Sequence, residues 1–331
     1  MNATSQATEA TFPRLLGDIG GTNARYAWQT HAGAQPSDVA SYPSSQHGSL
    51  LLSIEHYLRT HNKPRPRAVG IGIATQIFGD QVQMSNHPWT FSIASMKQAL
   101  EIDCMVFVND FTALALSLPA LPQTDLYRIG GGTAVMNAPM AVIGPGTGLG
   151  VSGLLLDRRT GRWLPVSGEG GHVTLSGDNA LELAVFERLK QRYGHASAER
   201  ALSGPGLLAI YDALCDVYGQ PALALSPAEV LSHAQSDAQP YCAMALAMFF
   251  ALLGSIAGNL ALTLGAIGGV FLGGGIVPKA MTELERSAFR ERFISKGRFR
   301  DYLNAIPTSV IRADVSPALI GASIAVDNYL A

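Results

Sequence analysis

The sequence predicts an α/β protein of two lobes with a cleft between them, and three observations carry this prediction. Two glycine-rich turns, at 17–22 and 144–150, lie between apolar runs typical of strands. A third apolar run, 105–108, ends in Asn109 and Asp110 ahead of a predicted helix, which is where open α/β sheets bind ligands. With 331 residues and 47% apolar content, the chain is long enough for two domains with separate cores.

In the first domain, strand and helix patterns alternate up to a proline-marked break. The predicted elements are a hairpin around the first glycine turn, a helix near 50–60, a strand over 68–74, a helix after Ser92, a strand over 105–108 and a helix over 111–118. Prolines at 119 and 122 then mark a break. We therefore expect the crossing into the second domain there.

The second domain is predicted to begin with the other glycine hairpin. Its further elements are helices around 179–192, 205–218 and 240–264, a strand over 270–272 and a helix after 278. Ser316 and Pro317 are typical of a helix start, and we expect this last helix to return to the first domain. We thus expect a small α/β domain over 14–121 plus 313–331, a large α+β domain over 122–312, and a disordered tail over 1–13.

Composition argues against several classes of protein. Charged residues make up 15% of the chain and the formal net charge is −2, so we expect no nucleic-acid partner. Cys104, Cys215 and Cys242 are far apart in the sequence, which is typical of a reducing compartment and of neither a disulfide framework nor a zinc site. The first 13 residues lack the pattern of a secretory signal, so we expect a cytoplasmic protein.

One stretch tests that expectation. Residues 238–278 contain no charged side chain, and Gly254 and Gly258 have a spacing found where membrane helices pack. Asn259 and further glycines interrupt the stretch, and no Lys/Arg-rich flank anchors it. We therefore expect a buried helix followed by a buried strand, and no membrane partner.

The glycine turns predict phosphate binding by backbone N–H groups. Glycine lets several amides approach one anion, and two such turns indicate a duplicated phosphate site. A dinucleotide-binding fingerprint requires a helix directly after the glycines, whereas both turns here are followed by strand patterns. Neither turn ends in the Gly-Lys-Ser/Thr of a P-loop.

Asp18 and Asp110 are the carboxylates that this chemistry would use. Asp18 lies in the first turn beside Thr22, where it is either a magnesium ligand, directly or through water, or an ordinary turn aspartate. Asp110 follows a buried strand, where a carboxylate can orient an acceptor hydroxyl and take its proton during phosphoryl transfer. Alternatively, Asn109 and Asp110 simply cap the next helix, and capping by Asn109 is compatible with catalysis by Asp110.

Three further polar residues are candidates for binding a sugar. Glu169 and His172 lie in a glycine-rich segment, and Glu199 follows later in the chain. Carboxylates that accept hydrogen bonds from hydroxyl groups give strong selection for a polyol. The residues alone leave two alternatives open: His172 is packed in the core, and Glu199 forms a surface ion pair with an arginine. The loop 273–278 either places glycine backbone against an adenine or ribose, or is a tight strand-to-helix turn.

Seven motifs in one order resemble a known family. The chain is similar to the bacterial ATP-dependent glucokinases of the hexokinase group, within the actin-like ATPase superfamily. The resemblance extends from Leu15 to about Ala325 and rests on residues 17–25, 85–92, 109–113, 146–150, 168–172, 197–206 and 273–278.

This resemblance implies a two-lobed actin-like ATPase (ribonuclease H-like) fold with a central cleft that closes on sugar, a homodimer, and the first step of glycolysis. It implies glucose binding by Asn109, Asp110, Glu169, His172 and Glu199, with Asp110 as the base toward the 6-hydroxyl. It implies Mg²⁺ near Asp18 and ATP binding by Gly17, Asp18, Ile19, Gly20, Gly21, Thr22, Gly146, Thr147, Gly148 and Gly274.

Alternative functions remain at the level of the sequence. A kinase for fructose, mannose or an N-acetylated sugar would carry the same motifs. A non-catalytic sugar-binding regulator would not need Asp110 as a base, and an assembling ATPase would not need the sugar-binding set. The related repressor-kinase branch carries a cysteine-rich zinc motif and often a DNA-binding helix-turn-helix, which this sequence lacks.

Overall fold

A computed structural model describes residues 9–236 and 239–331. Its strands are β1 (Arg14–Ile19), β2 (Asn23–Gln29), β3 (Ser37–Pro43), β4 (Ala68–Ile73), β5 (Gln81–Gln83), β6 (Thr90–Ser92), β7 (Cys104–Asn109), β8 (Leu126–Gly130), β9 (Met140–Pro145), β10 (Leu149–Asp157), β11 (Arg162–Ser167), β12 (Gly269–Leu272) and β13 (Thr308–Ile311). Its α-helices are α1 (Leu50–Thr60), α2 (Ile93–Leu100), α3 (Asp110–Ser117), α4 (Ala180–Tyr193), α5 (Gly204–Val217), α6 (Pro227–Gln235), α7 (Pro240–Leu264), α8 (Met281–Arg286), α9 (Phe289–Ile294), α10 (Arg300–Ala305) and α11 (Pro317–Leu330).

The chain forms two compact units. The first contains Met1–Gln123, Asp157–Ser167 and Ala313–Ala331, and the second contains Thr124–Leu156 and Gly168–Arg312.

The first unit is built on a mixed sheet in the order β3-β2-β1-β4-β7. Strands β1, β4 and β7 are parallel, while β2 and β3 are antiparallel to their neighbours. Every residue of β4 is buried, as expected of a central parallel strand covered on both faces. The C-terminal helix α11 packs against α3 so closely that a Cβ on Gly321 would lie 1.7 Å from the Ala113 carbonyl oxygen.

The second unit combines a mixed sheet with a helical layer. Its strands follow the order β10-β9-β12-β13-β8, with β9, β12 and β13 parallel. The long helix α7 is the one helix in the described residues that is long and apolar enough to cross a membrane, and 72% of its most apolar window is buried. Strand β12 is buried at every residue. The predicted buried helix and strand are confirmed, because both α7 and β12 contribute residues to the core of this unit.

The structure corrects the predicted N-terminal tail. Residues 1–8 of the tail lie outside the described residues, but Thr11 and Phe12 are buried. Thr11 Oγ1 accepts hydrogen bonds from the buried Arg14 guanidinium, which also lies 4.0 Å above the Phe12 ring. The expectation of disorder is therefore wrong for these residues, because the polar composition concealed their packing around Arg14.

A buried ion pair joins α4 to α9. Glu182 is only 2% exposed and accepts two hydrogen bonds from Arg292, at 2.5 and 3.1 Å. The amide of Asp178 donates to the same carboxylate, and Arg292 Nε donates to Ser255 on α7. Burial alone raises the pKa of Glu182, but the bonds from Arg292 and the Asp178 amide lower it overall.

Removing this carboxylate should destabilise the fold. Glu182→Gln removes the hydrogen-bonded counter-charge of Arg292 and leaves only the exposed Asp178 carboxylate, 3.7 Å from Nε, so we expect a loss of about 3 kcal/mol in unfolding free energy. Because the folded-state pKa lies below the ordinary value of 4.5, the loss should be full above that pH and shrink as pH falls through the folded pKa. Urea unfolding at pH 7 and at acid pH measures both effects.

Glu187→Gln is the matched control, since Glu187 lies on the same helix and is exposed. It should change the unfolding free energy by less than about 0.5 kcal/mol. Equal losses in the two variants would contradict the importance assigned to the Arg292 pair.

Candidate active site

Two groups of predicted site residues in the first unit, one around Asp18 and one around Asn109, lie at the carboxyl ends of parallel strands. Ile19 of β1 is paired with Ile73 of β4, and Ile73 is paired with Asn109 of β7. Asp18 and Asn109 therefore lie at the same edge of the sheet, on strands about 10 Å apart with β4 between them. The sequence predicted both groups but not their separation.

The first glycine turn is shorter than the sequence indicated. Gly17, Asp18 and Ile19 lie within β1, paired on both sides, so the turn proper contains residues 20–22. The Gly20 N–H donates to the Asn23 carbonyl at 2.8 Å and closes the turn. The amides of Gly21 and Thr22 are then the donors in the turn that an anion would meet.

Asp18 is held in one orientation by two donors. Its carboxylate oxygen Oδ2 accepts from the Ser316 hydroxyl at 2.7 Å and from Arg25 at 3.2 Å. The side chain is 14% exposed. Sequence reasoning missed Ser316 as a partner, because the two residues are 298 positions apart.

These donors leave an arrangement that suits Mg²⁺ bound together with a phosphate. Magnesium takes hard oxygen ligands and is usually held by one or two carboxylates, substrate phosphates and water. Asp18 uses Oδ2 for its protein partners, so Oδ1 is the oxygen that would face the ion or its bound water. Among the described residues no group of three or more His, Cys, Asp and Glu side chains forms a metal site.

Asn109 and Asp110 form the start of α3. Asn109 Oδ1 accepts from the amides of Phe111 and Thr112, at 3.0 and 3.3 Å, so the predicted helix cap is confirmed. Asp110 Oδ1 accepts from the Phe111 amide at 2.9 Å. Both side chains are partly exposed. The carboxylate of Asp110 is thus fixed at a helix N-terminus and remains accessible.

In the second unit, the other glycine turn is closed in the same manner. The predicted strand-turn-strand is confirmed, since β9 pairs with β10 and residues 146–148 connect them. The Gly146 N–H donates to the Gly148 carbonyl, and the Gly146 carbonyl accepts from the Gly204 N–H, both at 2.8 Å. The start of α5 therefore supports this turn.

The loop after β12 lies directly on the second hairpin. The Gly273 N–H donates to the Ile143 carbonyl at 2.9 Å. Gly274 has φ of +78°, and a Cβ there would lie 2.3 Å from the Pro145 carbonyl oxygen. This loop can approach the hairpin only because position 274 is glycine.

Backbone pairing brings together the three predicted sugar ligands of the second unit. The Glu199 N–H donates to the Gly171 carbonyl, and the His172 N–H donates to the Glu169 carbonyl. Glu169 Oε2 lies 3.9 Å from His172 Nε2, and both side chains are about half exposed. Glu199 Oε2 accepts from the Leu149 N–H at 2.9 Å.

The Leu149 contact places the Glu199 carboxylate beside the second glycine turn. A Cβ on Gly148 would lie 2.5 Å from Glu199 Oε2, so the carboxylate covers the turn. The alternative of a surface ion pair with an arginine does not account for this placement. Sequence spacing could not reveal it, because the contact joins residues 50 positions apart.

A pocket of about 400 Å³ opens between α4 and the segment Thr174–Gly177. Its lining includes Phe186, Lys190 and His195. It contains none of the predicted site residues, although Thr174 lies two positions after His172.

Comparison with known proteins identifies the family. The model of the family described as Glucokinase matches residues 15–329. The chain belongs to the glucokinase family. The glucokinase of Aromatoleum aromaticum is 49% identical over 97% of this chain and 96% of its own length. The glucokinase of Campylobacter jejuni subsp. doylei is 42% identical over the same shares of the two chains.

Solved structures agree with this assignment. A glucokinase from an Antarctic psychrotroph is 36% identical and superposes with a TM-score of 0.86, covering 96% of this chain and 99% of its own. The glucokinase of Balamuthia mandrillaris in complex with glucose, at 20% identity and a TM-score of 0.76, covers 97% and 98% and shows the shared fold. The predicted glucokinase resemblance and the predicted class of enzyme are confirmed.

The close contact of Gly274 with the second hairpin can be tested by a substitution that adds one methyl group. Gly274→Ala places a Cβ against the Pro145 carbonyl in a left-handed backbone conformation, so we expect a loss of about 1–3 kcal/mol in unfolding free energy. Gly275→Ala is the control, since a Cβ there meets nothing within 4 Å. Urea unfolding of both variants decides the matter, and equal stability of the two would contradict the close approach.

Proposed function

We propose that this chain transfers the γ-phosphoryl group of ATP to the 6-hydroxyl of D-glucose, giving glucose 6-phosphate. Membership in the glucokinase family supports the reaction. The observation that carries the assignment to residues is the placement of Asp110, a partly exposed carboxylate at the carboxyl end of β7 whose orientation the Phe111 amide fixes.

Asp110 acts as the general base in this proposal. The 6-hydroxyl of the sugar donates its proton to the Asp110 carboxylate as its oxygen attacks the γ-phosphorus. The bond between that phosphorus and the β-γ bridging oxygen breaks, and ADP leaves with the electron pair. Phosphoryl transfer needs positioning and charge stabilisation more than covalent catalysis, so a single oriented carboxylate suffices.

Asn109, Glu169, His172 and Glu199 hold the sugar together with Asp110. The carboxylates accept hydrogen bonds from sugar hydroxyls, while the amide of Asn109 and the ring of His172 supply further polar groups. Because Glu169 and His172 lie within 4 Å of each other, one sugar can contact both. An analogue without a hydroxyl would leave a carboxylate unpaired, which gives strong discrimination.

The two glycine turns bind the nucleotide. Within the predicted segment Gly17–Thr22 we assign phosphate contacts to the amides of Gly21 and Thr22, because residues 17–19 are paired within β1. We assign further phosphate contacts to Gly146–Gly148 and a contact with the nucleoside to Gly274. Mg²⁺ near Asp18 would neutralise phosphate charge, the chemistry that this ion supplies in phosphoryl transfer. A ROK family glucokinase from Streptomyces griseus has a similar fold, and its crystal structure was solved in complex with glucose and AMPPNP.

The same proposal covers the organisation of the protein. We propose two lobes that enclose a cleft and close on sugar to exclude water. Their bounds are the predicted 14–121 plus 313–331 and 122–312, except that Asp157–Ser167 belongs to the first unit. We further propose a cytoplasmic homodimer. A kinase of another hexose is the second candidate, and a panel of hexoses in a coupled assay with ATP and Mg²⁺ distinguishes it from a glucokinase.

Replacing the base should slow turnover strongly, with little effect on binding. Asp110→Asn keeps an oxygen for the Phe111 amide but cannot take a proton, so we expect kcat to fall by about 10²–10⁴-fold. Asp103→Asn, an exposed aspartate just before β7, serves as control and should leave kcat unchanged. A coupled assay measures both, and an Asp110→Asn enzyme within fivefold of wild type would exclude the role of base.

Loss of one sugar carboxylate should weaken glucose binding selectively. Glu169→Gln replaces a charged acceptor by a neutral one, and we expect KM for glucose to rise about tenfold. KM for ATP should stay within about twofold, because the phosphates meet other residues. Steady-state kinetics with each substrate varied in turn tests this, with Glu187→Gln as control, and an unchanged KM for glucose would remove Glu169 from the sugar site.

A further inference from the structure

A buried serine, Ser44, forms hydrogen bonds with both ends of the first glycine turn. Ser44 is fully buried. Its hydroxyl donates to the Gly20 carbonyl at 3.0 Å, and its amide donates to the Thr22 carbonyl at 2.8 Å. One residue outside the hairpin thus binds the first and the last residue of the turn.

The opposite side of the turn rests on another segment. A Cβ on Gly21 would lie 3.0 Å from the Asn86 carbonyl oxygen and 3.1 Å from the Asn86 Cβ. Asn86 belongs to the motif at 85–92, to which the proposed function assigns no role. The middle of the turn is therefore in close contact with Asn86.

The two supports are joined to each other. Trp89 is 3% exposed, and its indole N–H donates to the His47 carbonyl at 3.0 Å. His47 follows the 3₁₀ turn that Ser44 begins, and Trp89 lies three residues after Asn86. Ser44, His47, Asn86 and Trp89 thus form a closed ring of contacts with the turn, which we call the turn frame.

We propose that the turn frame holds Gly20–Thr22 in the conformation that binds the phosphates of ATP, with Ser44 and Trp89 as positioning residues. This inference rests on the proposed function. Glycine-rich backbone is conformationally free, and ordering it on binding would weaken affinity. Amides that are already oriented stabilise an anion without that loss. The frame also gives a role to the motif at 85–92.

Kinetics of variants at Ser44 provide the test. Ser44→Ala removes the hydroxyl bond to Gly20, and we expect KM for ATP to rise about tenfold while KM for glucose stays within about twofold. Ser44→Thr, which keeps a hydroxyl, should restore much of the affinity. Titration calorimetry with ATP and Mg²⁺ in the absence of sugar should show the same loss. Ser45→Ala, at the exposed neighbouring serine, should match wild type.

A second variant tests the other side of the frame and covers the case in which Ser44→Ala does not fold. Trp89→Phe keeps an aromatic ring but removes the donor to His47, and we expect KM for ATP to rise about fivefold. Trp163→Phe, at a tryptophan outside the frame, is the control and should match wild type.

Each result has one meaning. A selective rise in KM for ATP, with the loss of affinity also seen by calorimetry, supports the frame. Unchanged values in Ser44→Ala and Trp89→Phe, or equal rises for ATP and glucose, overturn it. A wild-type protein that does not phosphorylate glucose would instead refute the proposed function, so the two failures are distinguishable.

Discussion

Parallel pairing of β1 with β4 and of β4 with β7 is the constraint on which the proposed site residues of the first unit depend. It places Asp18 and Asn109 at one edge of the sheet because the carboxyl ends of the three strands are level. A shift of one residue in β1 would turn Asp18 to the opposite face. Full burial of β4 specifies the register, since every residue of that strand packs against a covered face.

Each glycine turn is closed by its own backbone and supported by a distant segment. Gly20 and Gly146 each donate an N–H within their own turn, and Ser44 and Gly204 supply the outside contact. The proposed phosphate site therefore relies on oriented amides more than on lysine and arginine side chains.

The carboxylates that we propose as site residues are held, each within its own unit, by hydrogen-bond donors of the protein. Asp18 accepts from Ser316 and Arg25, Asp110 from its neighbouring amide, and Glu199 from the Leu149 amide. Such bonds restrict rotamers before substrate arrives, so less conformational entropy is lost on binding. They also place Glu199 against the second turn, which links a proposed sugar ligand to a proposed nucleotide site within one unit.

The sequence by itself determined those elements of the fold that depend on a local pattern of residues. Both hairpins, the Asn109 cap and the buried helix α7 were predicted because alternation, capping and apolar runs act over a few residues. The short helices α9 and α10 and the helix α6 were missed. For α6 a signal existed, since Ser226 and Glu229 form a capping box. Only the tertiary structure decided the bonds of Ser316 with Asp18, Glu199 with Leu149 and Ser44 with Gly20. These contacts join residues that are 24 to 298 positions apart, and such pairings arise from the packing of strands and helices, which no short stretch of sequence encodes.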